Sequence, residues 1–197
     1  MIKPIETYYH GQRFRSRLEA RWAVFFDACG VEWEYEPEGF DVGEGVLYLP
    51  DFRLHNLKGR GGPTIWVEVK GHMTEEDARK IRKFIGEDEN VWPINPLLLL
   101  GNIPSSETEQ SLDYEIEDRG YHDPDGYDLY QFNFETIDGD HFAAHPGISK
   151  NGHFELFGDD GSYLADRDPL LTLLAYQRAR TARFEYGETP PTTPVWR

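Results

Sequence analysis

Residues 46–71 constrain this chain more than any other stretch. The run Val-Leu-Tyr-Leu-Pro-Asp-Phe-Arg-Leu, a polar Gly-rich gap and the run Ile-Trp-Val-Glu-Val-Lys-Gly set Asp51, Glu68 and Lys70 among apolar neighbours that ordinarily exclude charge. β-branched and aromatic residues mark both flanks as strands, and His55 to Pro63, with Gly59, Gly61 and Gly62, reads as the hairpin loop between them. Side chains alternate along a strand, so Glu68 and Lys70 share one face while Val67 and Val69 pack on the other. Pairing Asp51 with Glu68 puts the hairpin midpoint between Gly59 and Arg60, inside the loop, and gathers two carboxylates and an ammonium into one cluster. Adjacent carboxylates repel, and a fold that holds them together calls for a divalent cation; oxygen donors alone suit Mg²⁺, with Mn²⁺ as a substitute. A lysine two residues on suits phosphate chemistry.

Pro50-Asp51 followed by Glu68-Val69-Lys70 resembles the signature of the PD-(D/E)xK nuclease superfamily. The resemblance implies that Asp51, Glu68 and the carbonyl of Val69 hold the metal, and that Lys70 positions or activates the attacking water. Upstream, residues 13–29 read as an amphipathic helix ended by Gly30, with Phe14, Leu18, Trp22, Phe25 and Cys29 toward a sheet. Arg13, Arg17 and Arg21 then line up as a basic edge fit for nucleic acid. Glu19, beside the apolar stripe, has two readings. One is an ordinary ion pair with Arg15, four residues away. The other follows from the resemblance, because in several branches of the superfamily a helix glutamate completes the acidic cluster, and Arg17-Leu18-Glu19-Ala20-Arg21 is similar to that element.

Val31 to Phe40 alternates as a half-buried strand; Glu32 and Glu34 read as solvated, while Glu36 and Glu38, before the turn toward Asp51, are either solvated too or close to the charge cluster. After Gly71, Thr74 is a helix N-cap with Asp77 three residues on, and Ala78, Ile81, Phe84 and Ile85 mark the buried face. Arg79, Lys80, Arg82 and Lys83 form the other face, either merely solvated or in contact with a phosphate backbone. Asn95 to Leu100 reads as a buried strand. The order helix, strand, Asp strand, Glu/Lys strand, helix, strand is the core order of the superfamily, and the resemblance covers about the first half of the chain.

A formal charge of −16 is unusual for a protein that meets nucleic acid, so its location matters. Residues 1–85 carry 13 Lys and Arg against 14 Asp and Glu, residues 86–165 carry 2 against 18, and residues 166–197 carry 5 against 4. The acidity thus lies in the middle and leaves the charge cluster in near-neutral surroundings. Ser105 to Glu117 reads as an acidic loop, and Tyr127 to Leu156, with Tyr130, Phe132 and Phe134 on one face and turns at Asp138-Gly139 and Asn151-Gly152, reads as an antiparallel meander. Its histidines, His122, His141, His145 and His153, match no zinc-ligand spacing. Asp168 as N-cap and Pro169 open a last helix over Leu170 to Glu185, docked by Leu170, Leu171, Leu173 and Leu174 and stopped by Gly187. Its Arg178, Arg180 and Arg183 are free to be solvated, to pair with the acidic segment or to touch DNA. The Pro-rich end, Glu188 to Arg197, is expected to be flexible. One cysteine, Cys29, and a longest leucine run, Leu97 to Leu100, far too short to span a bilayer lead us to expect a cytoplasmic chain without membrane spans.

These readings converge on an α/β fold. The resemblance implies that residues 1–103 form a restriction-endonuclease-like core with a central mixed sheet flanked by helices; 104–165 read as an acidic β-rich elaboration of the same domain, 166–187 as a C-terminal helix and 188–197 as a flexible tail. The resemblance implies an Mg²⁺-dependent DNA endonuclease with Glu19, Asp51, Glu68 and Lys70 as catalytic residues, leaving 5′-phosphate and 3′-hydroxyl ends. Superfamily members with a helix glutamate include junction-resolving, mismatch-nicking and transposon-end-cutting enzymes, often from phages or mobile elements. A homodimer is compatible with this reading. The alternative is a DNA-binding or interaction module with a vestigial site, gripping a basic protein partner through residues 104–165.

Overall fold

The computed structural model describes residues 5–57, 64–85, 97–104, 121–122, 128–129, 133–135, 141–158 and 166–196. The expected acidic loop, the tip of the hairpin at Gly59 and Arg60, Tyr130, Phe132 and the Asp138-Gly139 turn lie outside the described residues.

The chain opens with a hairpin of β1 (Thr7–Tyr9) and β2 (Gln12–Phe14), so the first helix, α1 (Arg17–Ala28), is shorter than the pattern over 13–29 suggests. Ser16 decides the start: its backbone is extended and its hydroxyl accepts the Glu19 N–H at 3.2 Å. Phe14 is still buried, but from a strand. Gly30 ends the helix with a φ of +65°, and a Cβ there would stand 2.9 Å from the ring of Trp196, so only glycine fits.

β3 (Glu32–Tyr35) also stops early, because Glu36 turns to a φ of +45°. A small hairpin of β4 (Phe40–Asp41) and β5 (Leu47–Tyr48) follows. Where one strand was expected from Val46 to Leu54, Pro50, which lacks a ladder donor, separates β5 from β6 (Phe52–His55). β7 (Thr64–Val69), α2 (Glu75–Ile85) and β8 (Leu97–Leu100) complete the first half. A capping box fixes the start of α2: the Thr74 hydroxyl accepts the Asp77 N–H at 3.2 Å while the Asp77 carboxylate accepts the Thr74 N–H at 3.2 Å.

β9 (Tyr121–His122) pairs with β10 (Asp128–Leu129) apart from the main sheet. β11 (Asn133–Glu135), β12 (His141–Ile148) and β13 (Phe154–Gly158) form the antiparallel meander, and Phe134 pairs with Leu98, joining it to the first half. The result is one seven-stranded sheet in the order β13-β12-β11-β8-β7-β6-β3, mixed because β7 and β8 run parallel.

Alternation along β7 and β8 sorts the layers. Ile65, Val67, Leu98 and Leu100 join Trp22, Phe25, Phe26 and Phe52 under α1, whereas Trp66, Leu97 and Leu99 pack with Ala78, Ile81, Phe84 and Ile85 of α2 on the other face. Each fully buried large side chain stabilises the fold by roughly 1.5–3 kcal/mol, which lets the core tolerate buried charge at its edge. The last helix, α3 (Pro169–Thr181), starts at Asp168 as expected but ends four residues before Glu185. Of the four leucines expected to dock it, Leu171 packs against the core and Leu173 is half-buried, whereas Leu170 and Leu174 are exposed and the fully buried positions are Thr172, Ala175, Tyr176 and Ala179. Small residues allow α3 to approach α1 closely, with Tyr176 stacked on Phe25 at 4.6 Å. The tail, expected to be flexible, is tied down: Val195 N–H donates to the Ala28 carbonyl at 3.0 Å and the Tyr9 hydroxyl to the Pro191 carbonyl at 3.1 Å. Among the described residues no helix is long and apolar enough to cross a membrane.

Candidate active site

β6 and β7 pair Phe52 with Val67, and one step further this register sets Asp51 opposite Glu68. The neighbouring strands hold both ends in place. Glu36 N–H donates to the Asp51 carbonyl at 2.9 Å, and Lys70 N–H donates to the Leu100 carbonyl at 2.8 Å, extending the parallel ladder past Val69. Asp51 and Glu68 are only 5% and 2% exposed.

Each carboxylate has one oxygen on a fixed neutral donor and the other on a longer-reaching cation. Asp51 Oδ2 accepts the Val69 N–H at 2.7 Å, while Oδ1 lies 3.4 Å from the Arg15 guanidinium. Glu68 Oε2 accepts the Tyr48 hydroxyl at 2.8 Å, while Oε1 lies 2.8 Å from Lys70 Nζ. Lys70 Nζ is also 3.3 Å from Asp77, so the α2 cap doubles as its second anchor. Val69, expected to contribute its carbonyl, is bonded to the cluster through its N–H.

Glu19 is buried as well, and the side-chain ion pair with Arg15 does not form. Glu19 Oε2 instead accepts the Tyr35 hydroxyl at 2.6 Å and the Arg15 backbone N–H at 3.1 Å, and the Arg15 guanidinium turns to Glu36 and Asp51. Among the described residues no three His, Cys, Asp or Glu side chains are gathered so as to hold a metal ion. Of the residues expected to hold a metal, Asp51 and Glu68 face each other across the strand pair and Val69 bonds to Asp51 through its N–H. Glu19 stands behind them, on a helix that packs against the opposite face of the sheet, with its Oε2 already taken.

Burial pushes the Asp51 carboxyl well above the ordinary range, and the charges of Glu68 and Glu19 add to this; the Val69 N–H and Lys70 oppose the rise without cancelling it. Burial raises Glu68 too, against the pull of Lys70 and Tyr48. For Lys70 burial acts downward, but Glu68, Asp51 and Asp77 prevail and hold the ammonium charged. The carboxylate pair is thus electrostatically under-compensated. Its donors fit Mg²⁺, which commonly binds one or two carboxylates and keeps water in its other positions, better than Ca²⁺, which takes roughly 6–8 oxygens.

The basic residues do not form the continuous edge expected of them. Arg13 lies on β2 and pairs with Glu6, Arg17 pairs with Glu185, and Arg21 is half-buried, its pKa lowered by burial with Arg17 and Arg180 nearby. On α2, Lys80 pairs with Glu76 at 2.6 Å and Lys83 with Glu44 at 2.7 Å, while Arg79 is exposed and Arg82 half-buried. Two contributors escaped the sequence reading. Tyr48 carries no local sign of its role, since its reach to Glu68 depends on the β4–β5 hairpin; Tyr35 does stand on the strand face opposite the solvated glutamates. Comparison with protein-family models, with curated proteins and with solved structures finds no match for this chain.

Proposed function

We propose that the protein is a divalent-metal-dependent deoxyribonuclease that cleaves phosphodiester bonds within DNA, built on a restriction-endonuclease-like core of the PD-(D/E)xK type. The observation that carries this reading is the buried, mutually repelling pair Asp51 and Glu68 with Lys70 on the same strand face. A purely structural cluster would more simply be apolar, since uncompensated buried charge destabilises a fold. Asp51 Oδ1 and Glu68 Oε1 are the oxygens that would hold Mg²⁺. When bound, the ion supplies Lewis-acid polarisation of the scissile phosphate and lowers the pKa of a coordinated water. Lys70, held charged, orients the attacking water and offsets charge developing on the phosphoryl oxygens rather than acting as a base. Tyr48 and the Val69 N–H fix the two carboxylates so that neither rotates away. Glu19 adds negative charge behind Asp51 and anchors Arg15.

The test is incubation of the pure protein with supercoiled, linear, single-stranded and branched DNA in Mg²⁺, Mn²⁺ or EDTA. The reading requires cleavage with metal and none with EDTA, including nicking of the supercoiled circle, which has no ends. Intact DNA under every condition refutes it.

A further inference from the structure

We infer that Arg15 is a second phosphate-contacting cation of this site, which in the metal-free protein acts as the counter-ion of Asp51 and leaves it when the carboxylate pair takes up a divalent cation. The inference rests on the nuclease reading and deepens it.

Three features of Arg15 support this. Its backbone is fixed, since its N–H lies 3.1 Å from both Glu19 Oε2 and the Tyr35 hydroxyl, whereas its side chain is 59% exposed and held by ion pairs with Glu36 and Asp51 alone. The guanidinium sits on Asp51 Oδ1, the oxygen of that carboxylate that no fixed donor occupies, and the 3.4 Å contact is long for a charged pair. Finally, Glu36, 23% exposed as a side chain, pairs with the same guanidinium through its Oε1. Glu36 therefore keeps Arg15 at the mouth of the site after it has left Asp51. Two cations on one oxygen repel, so a divalent ion at Asp51 Oδ1 competes with Arg15, whose contact there is long, whereas Lys70 is held close to Glu68 and anchored by Asp77 as well. Once displaced, Arg15 presents a planar fork suited to phosphate oxygens beside Asp51, as Lys70 presents its ammonium beside Glu68.

The test compares wild type with Arg15→Gln, which keeps the backbone bonds and alters an exposed side chain, so folding is preserved. Arg183→Gln, an exposed charge elsewhere, controls for the loss of one positive charge. In calorimetric titration with Mn²⁺ alone, Arg15→Gln should bind the ion at least ~3-fold more tightly than wild type, and Arg183→Gln as wild type does. In binding to a short DNA duplex, the slope of affinity against salt should fall by about 0.9 on Arg15→Gln when Ca²⁺ is present as a non-catalytic ion, and stay unchanged in EDTA, where Arg15 is engaged with Asp51. Mn²⁺ affinity that is equal or weaker in Arg15→Gln, or raised as much in Arg183→Gln, overturns the competition. A salt slope that Arg15→Gln leaves unchanged in Ca²⁺ overturns the phosphate contact. Either result leaves the nuclease reading intact if wild type binds Mn²⁺ and cleaves DNA; a wild type that does neither overturns both.

Discussion

Replacing Asp51 with asparagine should stabilise the metal-free protein while abolishing its activity. The amide keeps an oxygen for the Val69 N–H at 2.7 Å, so the hydrogen bond survives in weaker form. What is lost is about 1 kcal/mol of charge assistance in that bond and under ~1 kcal/mol for the long contact to an exposed Arg15. What is gained is relief from burying a carboxylate, an effective cost of several kcal/mol, and from repulsion by Glu68 and Glu19. The net is a gain on the order of 1–3 kcal/mol, or a rise in Tm of about 2–10 °C for a chain of this size. The sign reverses nowhere but the size depends on pH. A carboxyl whose folded pKa is raised contributes fully to stability below its unfolded value and loses that contribution as pH climbs through the folded one. The advantage of asparagine should therefore be small near about pH 4 and grow toward about pH 8. Thermal unfolding followed by circular dichroism in EDTA across that range measures it, and added Mg²⁺ should raise the Tm of wild type but not of the variant. A variant less stable than wild type at pH 8, as expected for an ordinary hydrogen-bonded structural aspartate, would refute the reasoning.

Other outcomes follow from single contacts. Glu19→Gln should shift stability by under ~1 kcal/mol, because its amide oxygen still accepts from Tyr35 and Arg15, yet raise the Mg²⁺ concentration needed for half-maximal cleavage; an unchanged requirement would reduce Glu19 to a structural acceptor. Tyr48→Phe strips Glu68 Oε2 of its donor and should cost about 1.5–3 kcal/mol in a urea melt, with the Mg²⁺-bound form losing less. Gly30→Ala must force the Trp196 ring away and adopt a left-handed backbone, so its Tm should fall by several degrees; an unaltered Tm would mean that the tail is not seated on α1 in solution.

The pairing of Asp51 with Glu68 was legible because strand alternation and loop length leave one register that keeps Val67 and Phe52 inward. The starts of α2 and α3 were legible for a similar reason: Thr74 with Asp77, and Asp168 with Pro169, satisfy local donors that no distant residue alters. What escaped depends on tertiary partners. Phe14 has helical spacing to Leu18 and Trp22, yet Ser16 and the pairing of Thr7 with Phe14 make it a strand residue that reaches the same core. The leucines of α3 outrank Thr172 and Ala175 in hydropathy, but α1 lies close enough that small side chains win the inner face, and the Thr172 hydroxyl accepts the Ile148 N–H at 2.9 Å. At the site, the three carboxylates were readable as types, whereas the donors that occupy their oxygens, Tyr48, Tyr35 and the Val69 N–H, are brought to them only by the fold.

The most direct test of the account is Mg²⁺-dependent nicking of supercoiled DNA by wild type and by Lys70→Ala, with fold and DNA binding verified for both. Lys70 is the cation of the buried Glu68, so the variant should be less stable than wild type, and rates are compared only for protein shown to be folded and DNA-bound. The account predicts nicking by wild type and a loss of about 100-fold or more in the variant. Equal rates in the two proteins would contradict it.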